Sequence, residues 1–227
     1  MDILGIMGAM PEEVEQITRA LLEHRTERYA GVDYHIGRRS GKTLVVCCAG
    51  MGKVNAASTA QALISHFGVQ GIIFSGIGGN MCTEVGIGDV VIGTELVYHD
   101  ADLRMIAQSA PGTRSYTADP ALVNAIQTAC DRLEVHNVTG RIATGDQFVG
   151  DAETKICIQN QCNPKAVDME GAAVGHVSMR NSVPFVVLRA MSDNCSDSIE
   201  SLGAESFDVG EYVTTASAIV VAAVDAL

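Results

Sequence analysis

Three carboxylates, Glu13 in "GAMPEE", Glu170 in "DMEG" and Asp193 in "RAMSDN", each stand just after a short apolar run, far apart in the chain. If those runs are strands of one sheet, the acids meet at one rim, with no basic residue expected to separate them. Like charges gathered in this way repel unless a proton or a ligand intervenes, and such tuning marks active sites. Cleavage of a glycosidic bond needs an acid at the leaving group, an anion beside the cationic sugar and a group that orients water. Three acids suffice. A purine protonated at N7 departs readily, Phe148 of "TGDQFVG" offers a ring to stack on the base, and an ionised Glu170 is a bidentate acceptor for vicinal ribose hydroxyls. Each acid also has a structural alternative. A first-turn glutamate stabilises a helix by about 0.3 to 1 kcal/mol, and Asp193 is placed to cap the loop after its strand.

The elements that must position these residues follow a repeated pattern of apolar run and amphipathic stretch. "DILGIMGAM" reads as a buried strand, and "PEEVEQITRALLEH" as a helix with Pro11 in its first turn. "DYHIGRRSGKTLVVCCAG" reads as a hairpin and "VNAASTAQALISHFG" as a helix. "GIIFSGIGGN" is a strand running into a glycine turn, and "GDVVIGTELVYHD" is another strand. An irregular segment precedes the helix "PALVNAIQTACDRL", the strand and loop "VTGRIATGDQFVG" and the short helix "ETKICIQNQ". The strand "KAVDM", a helix from Glu170, the strand "FVVLRAMSD" and a terminal helix from about Val209 close the chain. Strands alternating with helices predict an α/β fold, three-layer α/β/α with a mostly parallel, mixed central sheet. Ligands in such sheets bind beyond the carboxyl ends of the strands. The glycines expected in turns there, Gly50, Gly52, Gly76, Gly78 and Gly79, let a backbone approach a ligand closely. Neither "GIMGAM" nor "GMGKVNAA" meets a dinucleotide or triphosphate fingerprint.

A chain of 227 residues with 47% hydrophobic content buries a full core, and residues 1–227 read as one domain. The formal net charge of -12 argues against nucleic-acid or anionic-membrane partners. Seven cysteines without a C-x-x-C pair fit buried reduced thiols and a cytoplasmic location. The acidic, glycine-interrupted N-terminus is unlike a signal peptide, and the C-terminal apolar run falls short of the roughly 20 residues that span a bilayer. His99, Asp100 and Asp102 of "YHDAD" lack the ligand set of a zinc motif and are expected to be a polar strand end. No metal site and no cofactor are expected.

The segments "GIMGAMPEEV", "GMGKVNAA", "VGIGDVVIG", "YHDAD", "TGDQFV", "VDMEGAAVGHV" and "PFVVLRAMSD", in this order over nearly the whole chain, resemble the 5'-methylthioadenosine/S-adenosylhomocysteine nucleosidase family of the nucleoside phosphorylase superfamily. The resemblance implies that Glu13 activates water and Asp193 protonates N7. It implies that Met169 and Glu170 hold the ribose, that Phe148 stacks on adenine and that the Val149 backbone reads the base edge. Met51 and Gly79 would line the ribose and base walls, with Ser192 and Arg189 supporting the acid and water positions. It further implies a nucleoside and water as reactants, and a homodimer with the site near the interface. The apolar terminal helix, which a monomer would find hard to cover, is consistent with that assembly.

Two departures bear on specificity. Ile77 of "SGIGGN" stands where the family carries a hydroxyl in "TGSAGG". The segment "LRMIAQSAPGTRSYTAD" lacks the aromatic-rich pattern that closes a neighbour's 5' pocket. Methylthioadenosine, adenosylhomocysteine, 5'-deoxyadenosine and aminodeoxyfutalosine therefore stay open as substrates. A superfamily phosphorylase is the first alternative, but a phosphate dianion needs cations that these strand ends do not supply. A nucleoside-sensing module is the second, and it would have no need of Glu13 and Asp193.

Overall fold

The computed structural model describes residues 1–196 and 210–227. Strand β1 (Ile3–Gly8) leads into helix α1 (Pro11–Arg19), followed by β2 (Leu22–Tyr29), β3 (Val32–Arg39) and β4 (Lys42–Cys48). Helix α2 (Lys53–Ser65), β5 (Gly71–Asn80), β6 (Val90–Tyr98), the short α3 (Leu103–Ile106) and β7 (Tyr116–Thr117) come next. The remainder is α4 (Pro120–Arg132), β8 (Asn137–Thr144), α5 (Ala152–Cys162), β9 (Ala166–Asp168), α6 (Gly171–Arg180), β10 (Phe185–Asp193) and α7 (Gly210–Ala226).

The architecture is the expected α/β one with a mixed sheet. Parallel pairings join β4 to β1, β1 to β5 and β5 to β10, and also β6 to β8 and β8 to β9. Antiparallel pairings complete it. Strand β10 pairs with β5 on one side and β6 on the other, so β5, β9, β8, β6 and β10 form a closed ring, from which β1, β4, β3 and β2 extend. Helices α1, α4 and α7 pack on one side and α2 and α6 on the other. Every residue of β10 is buried, as expected for a strand covered on both faces.

Three local expectations are corrected. The first helix ends at Arg19 rather than near His24, and Leu22–Tyr29 is a strand. Nearly all of β2 is exposed, so it carries no apolar alternation to read; its pairing with β3 and cross-strand bonds such as Arg28 to Asp33 at 2.8 Å hold it. Gly76, Gly78 and Gly79 lie within β5 rather than in a turn, whereas Gly50 and Gly52 have φ of 84° and 94° and do turn the chain. The start expected for the terminal helix, Val209, lies outside the described residues. From Gly210 onward the helix is covered by α1, α4, β5 and β10 of its own chain, with Val213, Ile219, Val220 and Val224 buried. The apolar character of α7 therefore reflects the core and gives no ground for an interface.

Candidate active site

Each expected site residue except Arg189 lines one cavity of ≈ 220 Å3. Helix α1 supplies Glu13, the turn before α2 supplies Met51, and β5 supplies Gly79. Phe148 and Val149 come from the loop after β8, Met169 and Glu170 from the β9–α6 junction, and Ser192 and Asp193 from the end of β10. Met10, Ile77 and Gln147 also line it.

Glu13 fulfils both readings of its position. Its Oε2 accepts from the N–H groups of Ala9 at 2.6 Å and Met10 at 3.0 Å, closing the first turn of α1 as a reciprocal cap. Its Oε1 accepts from the Ile77 N–H at 3.0 Å across the cavity floor. The carboxylate is buried. Gly76 makes this approach possible, because a Cβ there would stand 2.3 Å from Glu13 Oε1 and 2.6 Å from Arg189 Nη1. That Nη1 is buried without a hydrogen-bond partner. An acceptor carboxylate oxygen and an unpartnered guanidinium nitrogen thus both close on Gly76.

The acids do have a cation among them, which corrects the expectation of unaccompanied carboxylates. Arg189 is wholly buried behind the cavity, its Nε donating to Asp168 at 2.9 Å and its Nη2 lying 2.8 Å from Asp168 and 3.3 Å from Glu170. Burial alone would make its charge harder to hold, but Asp168, Glu170 and Glu13 together more than offset this and raise its pKa. Its Cζ sits 4.2 Å from the centre of the Phe74 ring, a favourable cation–π contact.

Asp168 has a second duty that answers why a glutamate opens α6. The α6 N-terminus is satisfied by Asp168, which accepts from the Gly171 N–H at 3.0 Å, and by the Thr144 hydroxyl, which accepts from the Ala172 N–H at 2.8 Å. Glu170 makes no cap bond with its side chain. Freed from that task, it turns into the cavity, where Oε1 accepts from the Gly52 N–H at 2.8 Å. Burial pushes its pKa up from 4.5 to about 7 despite the pull of Arg189, with the neighbouring Asp168 adding to the rise. The folded protein therefore holds this proton more tightly than an unfolded chain does. Ionising Glu170 costs stability as the pH rises from the ordinary carboxyl value through about 7.

Asp193 sits where β10 slips by one residue against β5, with Met191 opposite Gly78 and Asp193 opposite Gly79. Such a bulge re-aims a side chain, and here both Ser192 and Asp193 line the cavity. The Ser192 hydroxyl donates to Asp193 Oδ2 at 2.9 Å, with the Gly78 carbonyl as an alternative acceptor at 3.3 Å. The Cys195 N–H donates to Oδ1 at 2.9 Å, so the loop cap is also real. A Cβ at Gly79 would stand 2.3 Å from the Cys195 sulfur and 3.2 Å from Asp193 Oδ1.

Asp168 and Thr144 are the contributors that sequence reading passed over; their signal was a second acid two residues before Glu170. Asp100 of "YHDAD" is held by Lys53. His176 of α6 packs against the Tyr116 ring with centroids 4.8 Å apart. All the cysteines are free; Cys47, Cys130 and Cys195 are core, while Cys157 is exposed, contrary to the core-filling expectation.

A family model described as the phosphorylase superfamily matches residues 3–225. A 5'-methylthioadenosine/S-adenosylhomocysteine nucleosidase of Shewanella loihica is 36% identical over 200 residues, covering 86% of this chain and 87% of the relative. Among solved structures, the 5'-methylthioadenosine/S-adenosylhomocysteine nucleosidase of Neisseria meningitidis in complex with methylthio-immucillin-A superposes with a TM-score of 0.92 at 28% identity, covering 100% of both chains. The futalosine hydrolase of Helicobacter pylori strain 26695 superposes with a TM-score of 0.90 at 29% identity, covering 100% of this chain and 98% of that one.

Proposed function

Because this chain belongs to the phosphorylase superfamily and, within it, to the 5'-methylthioadenosine/S-adenosylhomocysteine nucleosidase family, we propose that it hydrolyses the N-glycosidic bond of 5'-substituted adenosines. The products are adenine and the 5-substituted ribose. Asp193 gives a proton to N7, so the bond electrons from C1' leave with the base. Glu13 takes a proton from water as the oxygen bonds to C1', with the Arg189 charge held behind the cavity wall. Glu170 accepts from the ribose hydroxyls above Met169, Phe148 stacks on adenine, and the Val149 backbone meets the base edge. Met51 and Gly79 form walls, and Ser192 steadies Asp193.

The observation that carries hydrolysis is the charge of the cavity. Glu13, Asp168, Glu170 and Asp193 line it without a basic residue, and Arg189 behind it is already paired with two carboxylates. A phosphate dianion would enter against that field, whereas neutral water would not. The experiment is chromatography of adenine from methylthioadenosine, adenosylhomocysteine, 5'-deoxyadenosine and aminodeoxyfutalosine, each in phosphate-free buffer. Release from the first two at a rate indifferent to added phosphate is expected. Release only with phosphate would make the protein a phosphorylase, and preferential release from aminodeoxyfutalosine would move the substrate toward that of the futalosine hydrolase.

Glu170 gives this reading a pH signature. Only its ionised form offers both oxygens as charged acceptors to two hydroxyls, so KM is expected to rise as the pH falls below about 7, approaching about tenfold per pH unit for a single proton. Glu170→Gln should raise KM at neutral pH and flatten that slope. A KM profile parallel to that of the parent protein would remove Glu170 from the ribose site.

A homodimer and a cytoplasmic location complete the proposal. Met51, Val54 and Phe148 are 62%, 78% and 40% exposed, placing apolar surface at and beside the cavity mouth where a second copy would cover it. Sedimentation at twice the chain mass tests this. The free cysteines fit a reducing compartment. Among the described residues no helix is long and apolar enough to cross a membrane.

A further inference from the structure

Three segments meet beside the cavity through side chains that do not line it and to which the reaction assigns no part. The Asp146 carboxylate Oδ1 accepts from the Lys53 N–H at 2.8 Å, while the Asp146 N–H donates to Asp100 Oδ2 at 2.9 Å. Lys53 Nζ closes the circuit, donating to both oxygens of Asp100 at 2.7 and 2.6 Å and lying 3.5 Å from Asp146 Oδ2. The end of β6, the loop after β8 and the N-terminus of α2 are thereby tied together. The Lys53 and Asp100 side chains are 22% and 24% exposed, although the Asp100 backbone lies open to solvent; burial pushes the Asp100 carboxyl up, but the bonds from Lys53 and the Asp146 N–H hold it below its ordinary pKa.

The backbone around this junction leaves little slack. Gly52 has φ of 94°, and a Cβ there would lie 3.2 Å from Asp146 Oδ1. A Cβ at Gly145 would fall 2.3 Å from the His99 ring. Gly52 has no side chain with which to cap α2, and two successive N–H groups are instead accepted by carboxylates from elsewhere, Gly52 by Glu170 and Lys53 by Asp146. Met51 lies two residues before Lys53, and Phe148 two residues after Asp146; both line the cavity.

We infer that Asp146, locked by Lys53 and Asp100, is a positioning residue that sets the gap between Met51 and Phe148 and so the fit of the base. The ion pair itself has little net worth at this degree of exposure; its effect lies in fixing two backbones, since a misplaced binding wall costs affinity even when every contact residue is present. When ribose hydroxyls compete for Glu170, Asp146 is the anchor that still holds the α2 turn. This inference rests on the adenosine-cleaving reading for its kinetic readout.

The test compares Asp146→Ala, Asp146→Asn and Asp146→Ala/Phe148→Ala with Phe148→Ala alone, using adenine as a calorimetric probe and methylthioadenosine as substrate. Asp146→Ala is expected to weaken adenine binding and raise KM by about tenfold, the scale of one charge-assisted hydrogen bond, with kcat within about twofold. Asp146→Asn, whose amide oxygen still accepts from the Lys53 N–H, should recover most of the loss. The double variant should lose less than the two single losses combined, because Asp146 acts in part through that ring. Unchanged adenine affinity in Asp146→Ala, or full additivity with Phe148→Ala, would overturn the inference. So would equal loss of kcat and melting temperature at unchanged KM, which marks a purely structural role. Adenine binding does not depend on turnover, so a parent protein that binds adenine without cleaving nucleosides would refute the nucleosidase and leave this test intact.

Discussion

Asp193→Asn is expected to lower kcat by about a hundred- to ten-thousandfold, the range of a lost general acid, with the fold unchanged. The asparagine amide oxygen can replace Oδ1 as acceptor for the Cys195 N–H. Its NH2 group would face the Ser192 hydroxyl, which has a second acceptor available in the Gly78 carbonyl. The bulge at the end of β10 therefore keeps its bonds while the transferable proton is gone. Quenched adenine release at saturating methylthioadenosine, with thermal melting as the fold control, reads this directly. A variant that keeps kcat within about threefold of the parent would sink the assignment of Asp193 as the acid.

Glu13→Gln is expected to reduce kcat by a similar factor and, unlike the first variant, to soften the protein as well. Glu13 now accepts from Ala9, Met10 and Ile77 with two oxygens. Glutamine has only one acceptor oxygen, so its amide NH2 must face either the helix start or the Ile77 N–H. Loss of a cap costs about 0.5 to 2 kcal/mol, and the melting temperature should fall accordingly. Activity must then be measured well below the transition, where the folded fraction is complete. If kcat recovers there to near the parent value, Glu13 is a structural cap alone and water is activated by another group.

Both acids were readable because each follows an apolar run whose strand character is strong, and the carboxyl ends of strands are where such sheets bind ligands. Glu170 was readable for the same reason, but its explanation was not. That required Asp168 and Thr144 to take over the helix start, a division of labour visible only once β8 and β9 lie side by side with Thr144 opposite Asp168. The Arg189 charge compensation was equally hidden, since an apolar strand reading gives no reason to aim a guanidinium inward. Exposed β2 carried no periodicity to find. The glycines of "SGIGGN" looked like a turn because glycine weakens strands, whereas in β5 they clear space for Glu13, Arg189 and Asp193.

The closed ring of strands sets the order in which these parts can come into being. Strand β10 carries Arg189 and Asp193, and it is held between β5, more than a hundred residues earlier, and β6. Contacts so distant in sequence form late and slowly, because loop-closure entropy is spent before they reward it. Until β10 docks, Asp168 lacks its cation and the proton donor has no strand end to stand on. Catalytic competence therefore depends on a long-range step of folding, and a refolding chain should recover its local helices well before it recovers turnover.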